Sequence, residues 1–88
     1  MGATTLAVVA RLRLFAAARE AAGTGEDVVP GSTIDEVLAT AIARYGTTFE
    51  DVLRTSRVWL NGESVDGSSA VNDADEVAVL PPVSGGAA

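Results

Sequence analysis

The stretch TIDEVLATAIARYG, residues 33–46, decides how this chain folds. Ile34, Val37, Leu38, Ala41, Ile42 and Tyr45 recur at helical spacing, so a helix from about Ile34 to Tyr45 has one apolar side that must lie on another layer. Thr33 with Glu36 three residues on fits a capping box, Asp35 and Glu36 set negative charge against the positive end of the helix dipole, and Gly46 supplies a stop. On either side of this helix the period changes to two. Leu6, Val8, Ala10, Leu12 and Leu14 alternate with Ala7, Val9, Arg11, Arg13 and Phe15, as in a strand with one buried face whose arginines mark the open side.

Between these elements, Ala16 to Ala22 is a short run of strong helix formers closed by the turn Gly23-Thr24-Gly25. Glu26 to Val29 reads as a brief second strand ended by Pro30-Gly31. After the long helix, Thr48, Phe49, Asp51, Val52 and Leu53 suggest a short helical turn with Thr48 as its cap. Arg57 to Leu60 is a strand, Asn61-Gly62 is a type I′ hairpin signal, and Glu63 to Val65 returns antiparallel. Asp66 to Ser69 and Asn72 to Asp75 carry loop chemistry, and the second leads into a last strand, Glu76 to Leu80. This order is α+β: a ubiquitin-like β-grasp in which one main helix packs across one face of a mixed four- to five-stranded sheet. Residues 1–83 form a single domain, and 84–88 a flexible C-terminal tail.

The composition removes most chemistry. The chain has 88 residues, 12 Asp plus Glu against 6 Lys plus Arg, no His and no Cys, and all six cations are arginine. Without His, Cys or Lys the common general bases, covalent nucleophiles and soft zinc ligands are missing, so an autonomous enzyme is not expected. A formal net charge of −6 argues against nucleic-acid binding, and no apolar run approaches the roughly 20 residues that cross a bilayer. No secretory start is present, and a soluble cytoplasmic protein is expected. Gly23-Thr24-Gly25 lacks the lysine of a phosphate loop. Asn72, Asp73, Asp75 and Glu76 lack the glycine and distal glutamate of a calcium loop, and Asp35-Glu36 and Glu50-Asp51 sit at helix starts, where capping accounts for them. No metal site and no bound cofactor are expected.

What remains is a set of residues that runs through the chain in order: Leu14 to Glu20 with Gly23, then Val58 to Gly62, then DADEVAVLPPVSGG at 73–86. On these residues the chain resembles the MoaD/ThiS-type ubiquitin-like sulfur carriers, most of all the branch that forms the small subunit of molybdopterin synthase. The resemblance implies that a ubiquitin-activating-type enzyme uses ATP to adenylate the carboxylate of Gly86, which is then converted to a thiocarboxylate. The sulfur passes to an acceptor enzyme: the molybdopterin synthase large subunit in molybdenum cofactor biosynthesis, or another enzyme making thiamine, cysteine, a thionucleoside or a secondary metabolite. A ubiquitin-like modifier that carries no sulfur is the alternative of a different class.

A carboxylate that must enter a narrow active site on a partner is best borne on a strip without bulky side chains, here Val83, Ser84, Gly85 and Gly86, behind the stiff pair Pro81-Pro82. Ala87 and Ala88 follow the glycine pair. They displace a terminal carboxylate by about 7 Å and put a Cβ where the family has none, so either a processing peptidase removes them, or the chain is inactive as written, or the extension is an artefact. Strand parity adds one expectation. Phe15 and Leu80 fall off the inward register at the ends of the first and last strands, which are parallel neighbours in a β-grasp sheet. They would then meet at the root of the tail in a small apolar patch, with Trp59, Pro81 and Pro82, suited to partner docking. The competing reading packs Phe15 under the helix at 16–22. Arg11 and Arg13 either steer a partner or form a solvated face.

Overall fold

The computed structural model describes residues 8–82; Leu6 and Ala7 of the expected first strand, and the tail residues Val83, Ser84, Gly85 and Gly86, lie outside the described residues. The elements follow in the order β1 (Val9–Leu14), α1 (Ala16–Ala22), β2 (Glu26–Pro30), α2 (Ile34–Tyr45), α3 (Thr47–Arg54), β3 (Arg57–Leu60), β4 (Glu63–Ser64) and β5 (Glu76–Leu80). They build one five-stranded sheet with the order β2-β1-β5-β3-β4. The first and last strands are parallel neighbours, Leu12 opposite Val77 and Leu14 opposite Val79, and every other pairing is antiparallel.

Parity on these strands defines the two faces. Ala10, Leu12 and Leu14 of β1, Val29 of β2, and Val77 and Val79 of β5 are buried, and they share one core with Ala18 of α1, Ile34, Val37 and Ala41 of α2, and Phe49 of α3. At about 25 cal/mol per Å² of apolar surface removed from water, this shared layer is the main driving force for closing the sheet onto its helices. Three helices cover the inner face, with α2 the longest. Phe49 is the largest fully buried side chain, and the Tyr45 ring meets it edge-on with centroids 5.2 Å apart.

The long helix begins as the sequence indicates, with two differences in its caps. The Glu36 N–H donates to the Thr33 hydroxyl at 3.2 Å, but the Glu36 carboxylate returns to Ser32, accepting from its N–H at 2.8 Å and its hydroxyl at 2.9 Å. The reciprocal half of the box therefore sits one residue early, at Ser32, whose carbonyl also accepts from the Val71 N–H at 2.9 Å, while Thr33 lies in an antiparallel bridge with Ala70. The Ile34 and Asp35 N–H groups donate to the Ser69 and Gly67 carbonyls, so the loop at 66–69 supplies the rest of the cap. For α3 the expected cap is corrected. Gly46, not Thr48, precedes the helix, at φ 95°, and Thr48 lies inside its first turn.

Asn61 and Gly62 take φ values of 51° and 86°, the pair of positive angles that a type I′ turn requires. The returning strand β4 is only two residues long. Asn61 also ties the hairpin to the last strand: its N–H donates to the Glu76 carbonyl and its side-chain oxygen accepts from the Glu76 N–H, both at 2.8 Å.

Candidate functional site

The outer sheet face, which carries no helix among the described residues, ends at the point where β5 hands over to Pro81-Pro82. Beyond the Leu14–Val79 pair the parallel ladder continues for one more bond, the Phe15 N–H donating to the Val79 carbonyl at 3.3 Å. Phe15 and Leu80 therefore occupy corresponding positions on the outer face. Leu80 lies opposite Arg57 and Ala78 opposite Trp59, so β3 contributes the neighbouring side chains. Thr55, Arg57, Trp59, Leu80, Pro81 and Pro82 line an open cleft of about 250 Å³. The indole N–H of Trp59 is buried there without a hydrogen-bond partner among the described residues.

Phe15 stands apart from that cleft. Phe15 is 39% exposed and lines a second opening of about 390 Å³ with Arg13, Thr24 and Glu26 and with Ala16 and Arg19 of α1. The Arg13 guanidinium lies 5.7 Å from the Phe15 ring centroid and within 3.9 Å of Glu26 and 3.8 Å of Glu76. Four of the six arginines, Arg11, Arg13, Arg19 and Arg57, lie on or beside this face. The other two are committed elsewhere, Arg44 to Asp27 at 2.9 Å and Arg54 to Asp51 at 3.5 Å. The sequence did not single out Arg19 or Arg57. Strand parity, applied to β3 as well as β1, is the signal that places Arg57 on the outer face.

Several acidic side chains among the described residues serve as cap and turn acceptors. No group of three acidic side chains there is placed to hold a metal ion. The carboxylates of the loop that superficially resembles a calcium site are already occupied: Asp75 accepts from the Asn72 N–H at 2.8 Å and the Asn61 amide at 3.1 Å, and Asp73 from the Val9 N–H at 3.2 Å. The Asn72 N–H, with Asn61, holds the Asp75 carboxyl below the usual carboxylate range, and the Ser32 N–H and hydroxyl do the same for Glu36. These are structural carboxylates. No helix among the described residues is long and apolar enough to cross a membrane.

A mixed five-stranded sheet with parallel first and last strands, a helix layer on one face and an open face on the other is the ubiquitin-like β-grasp. The chain belongs to the ThiS family, whose pattern matches residues 12–86. It is 38% identical over 77 residues to the molybdopterin synthase sulfur carrier subunit of Chlamydomonas reinhardtii, covering 82% of this chain and 92% of that one. It is 33% identical over 85 residues to the protein of the same name from Arabidopsis thaliana, covering 93% and 88%. Among solved structures it is similar to the small archaeal modifier protein 1 of Methanosarcina acetivorans, with a TM-score of 0.79, 26% identity, and coverage of 91% of this chain and 98% of that one.

Proposed function

We propose that this chain is the sulfur carrier subunit of a molybdopterin synthase, a co-substrate whose reactive group is the backbone carboxylate of Gly86. The observation that carries the reading is the family match, which runs through the glycine pair to residue 86, joined to relatives named as sulfur carrier subunits. An activating enzyme of the ubiquitin-activating type would join the Gly86 carboxylate to the α-phosphate of ATP with loss of pyrophosphate. Sulfur at the sulfide level (HS⁻) then attacks the acyl carbon, the C–O bond to AMP breaks, and AMP leaves behind the thiocarboxylate. The missing His, Cys and Lys fit this role, because the catalytic side chains belong to the partners.

Docking is assigned to the outer face around Phe15, Trp59, Leu80, Pro81 and Pro82, which adjoins the start of the segment Val83 to Gly86. Its half-exposed apolar side chains are rimmed by arginines, the composition of a specific protein interface. Ala87 and Ala88 must be removed by a peptidase before Gly86 can react, since adenylation needs a free carboxylate there. The second reading, a ubiquitin-like modifier, is favoured by the similarity to the archaeal modifier protein.

Intact-mass analysis of the protein from its native host tests both steps. Loss of two alanines followed by exchange of one oxygen for sulfur is the expected result. Only full-length mass in sulfur-replete cells counts against processing, and an isopeptide-linked ladder without thiocarboxylate favours the modifier.

A further inference from the structure

β2 is an edge strand, and an open edge is a template for pairing with another chain. Its parity is fixed by the bonds at either end of the β1–β2 ladder, where the Leu14 N–H donates to the Gly25 carbonyl at 2.9 Å and the Gly31 N–H to the Val8 carbonyl at 3.0 Å. Gly25, Asp27 and Val29 therefore turn their backbone groups toward β1, and Glu26, Val28 and Pro30 turn theirs outward. That outward row is occupied by side chains of the chain itself. The Thr24 hydroxyl accepts from the Glu26 N–H at 3.3 Å and donates to the Glu26 carbonyl at 2.9 Å. The Asp27 carboxylate accepts from the Val28 N–H at 2.8 Å, and Arg44 of α2 donates to the Val28 carbonyl at 2.9 Å. Pro30 has no N–H to offer. The second Asp27 oxygen is held by Arg44 at 2.9 Å and by the Tyr45 hydroxyl, which fixes the carboxylate against the helix.

We propose that Thr24, Asp27 and Arg44 form a latch that closes the β2 edge to strand addition, and that the edge, once unlatched, pairs antiparallel with β2 of a second copy of this chain. The latch explains why each outward N–H of the strand is either satisfied or absent. A second copy fits the edge because the row is self-complementary. Pairing about a two-fold axis at Val28 sets Val28 against its counterpart, and brings each Glu26 N–H to the Pro30 carbonyl of the other copy. The Val28 side chain, 56% exposed, is covered in that pairing. The net charge of −6 on each copy opposes the association, and added salt screens the repulsion.

The test compares the wild-type chain with the triple variant Thr24→Val, Asp27→Ala, Arg44→Met, which keeps the net charge because one acid and one base are removed together. Sedimentation should show a monomeric wild type and a variant that dimerises at least about tenfold more tightly, more so at high salt. Adding Val28→Pro, which removes the central outward N–H without disturbing the β1 ladder, should restore the monomer. Asp51→Ala with Arg54→Met, which deletes an ion pair on α3 instead, should stay monomeric. A folded triple variant that remains monomeric, a dimer that survives Val28→Pro, or a dimer of the α3 control would each overturn the proposal. Amide exchange on the wild type decides independently of whether the variants fold. Protection of Glu26 and Val28, although they face away from the sheet, is expected, and exchange at the rate of an open chain would refute the latch.

Discussion

Gly31 holds a position that no side chain can share. At φ +153° a Cβ built there would lie 2.7 Å from the Val37 backbone nitrogen, inside α2, so the β2–α2 turn needs both the conformation and the empty volume. Gly23, at φ +78°, has open space around it and needs only the conformation. Gly31→Ala should therefore destabilise by roughly 2–4 kcal/mol and Gly23→Ala by about 1, a difference that urea unfolding of the two variants measures directly. Tyr45 offers a second test at the same scale. Burial first, and then its hydrogen bond to Asp27, push the phenol up to about 12. Because the folded state favours the neutral phenol, the stability it contributes is complete below pH 10 and declines between about pH 10 and 12. Tyr45→Phe should lower stability at neutral pH and flatten that alkaline decline. The Asp27 carboxyl moves the other way, below the usual carboxylate range, chiefly through the Tyr45 hydroxyl. Its contribution is present above about pH 4 and lost as acid protonates it.

The elements themselves were largely written in the periodicity. The stripe from Ile34 to Tyr45 gives α2 its observed ends, Asn61-Gly62 gives the hairpin, and the alternation at 10, 12 and 14 gives the buried face of β1. What local pattern did not reveal depends on contacts distant in sequence. Loop 66–69 caps α2, Ala70 bridges to Thr33, and Glu36 closes its half of the capping box on Ser32, one residue earlier than expected. Gly46 serves two helices at once, which left no room for Thr48 as a cap. The same contacts make a prediction about α2. Thr33→Ala should cost about 1 kcal/mol, the usual value of an N-cap hydroxyl, because Ser69 and Gly67 continue to hold the first two N–H groups. Thermal unfolding should show a fall of a few degrees, and full unfolding would contradict the shared cap. At the candidate site, parity put Phe15 and Leu80 on one outer face. It could not tell that Phe15 borders a different opening from Trp59, because that depends on how Arg13 sits over the Phe15 ring.

Across the whole molecule, charge is divided unevenly. The chain is acidic overall, yet four of its six arginines gather on or beside the open sheet face, where Glu26 and Glu76 are the neighbouring acids. Such a dipolar surface orients an encounter before apolar contact forms, and its influence falls with ionic strength. If the proposed docking face is the one an activating enzyme grips, disrupting its apolar centre should weaken the encounter without unfolding the chain. Leu80→Glu tests this, since Leu80 is only half-buried and lies beside Arg57, so the new carboxylate has both water and a cation within reach. Removing an apolar anchor from an interface of this kind typically costs about 2 kcal/mol, roughly thirtyfold in affinity. Thiocarboxylate formation on the chain trimmed to Gly86 should, at limiting carrier concentration, drop by a comparable factor and recover at saturating concentration, while circular dichroism and the melting profile stay close to wild type. Val28→Glu carries the same charge onto the same sheet face at β2, opposite Arg11 and two strands from β5, so it touches only the steering and should lower the rate far less than Leu80→Glu. Equal loss in both variants would point to net charge rather than to contact. An unaltered rate in Leu80→Glu would remove this face from the proposed docking site and move the search to the helix-covered side.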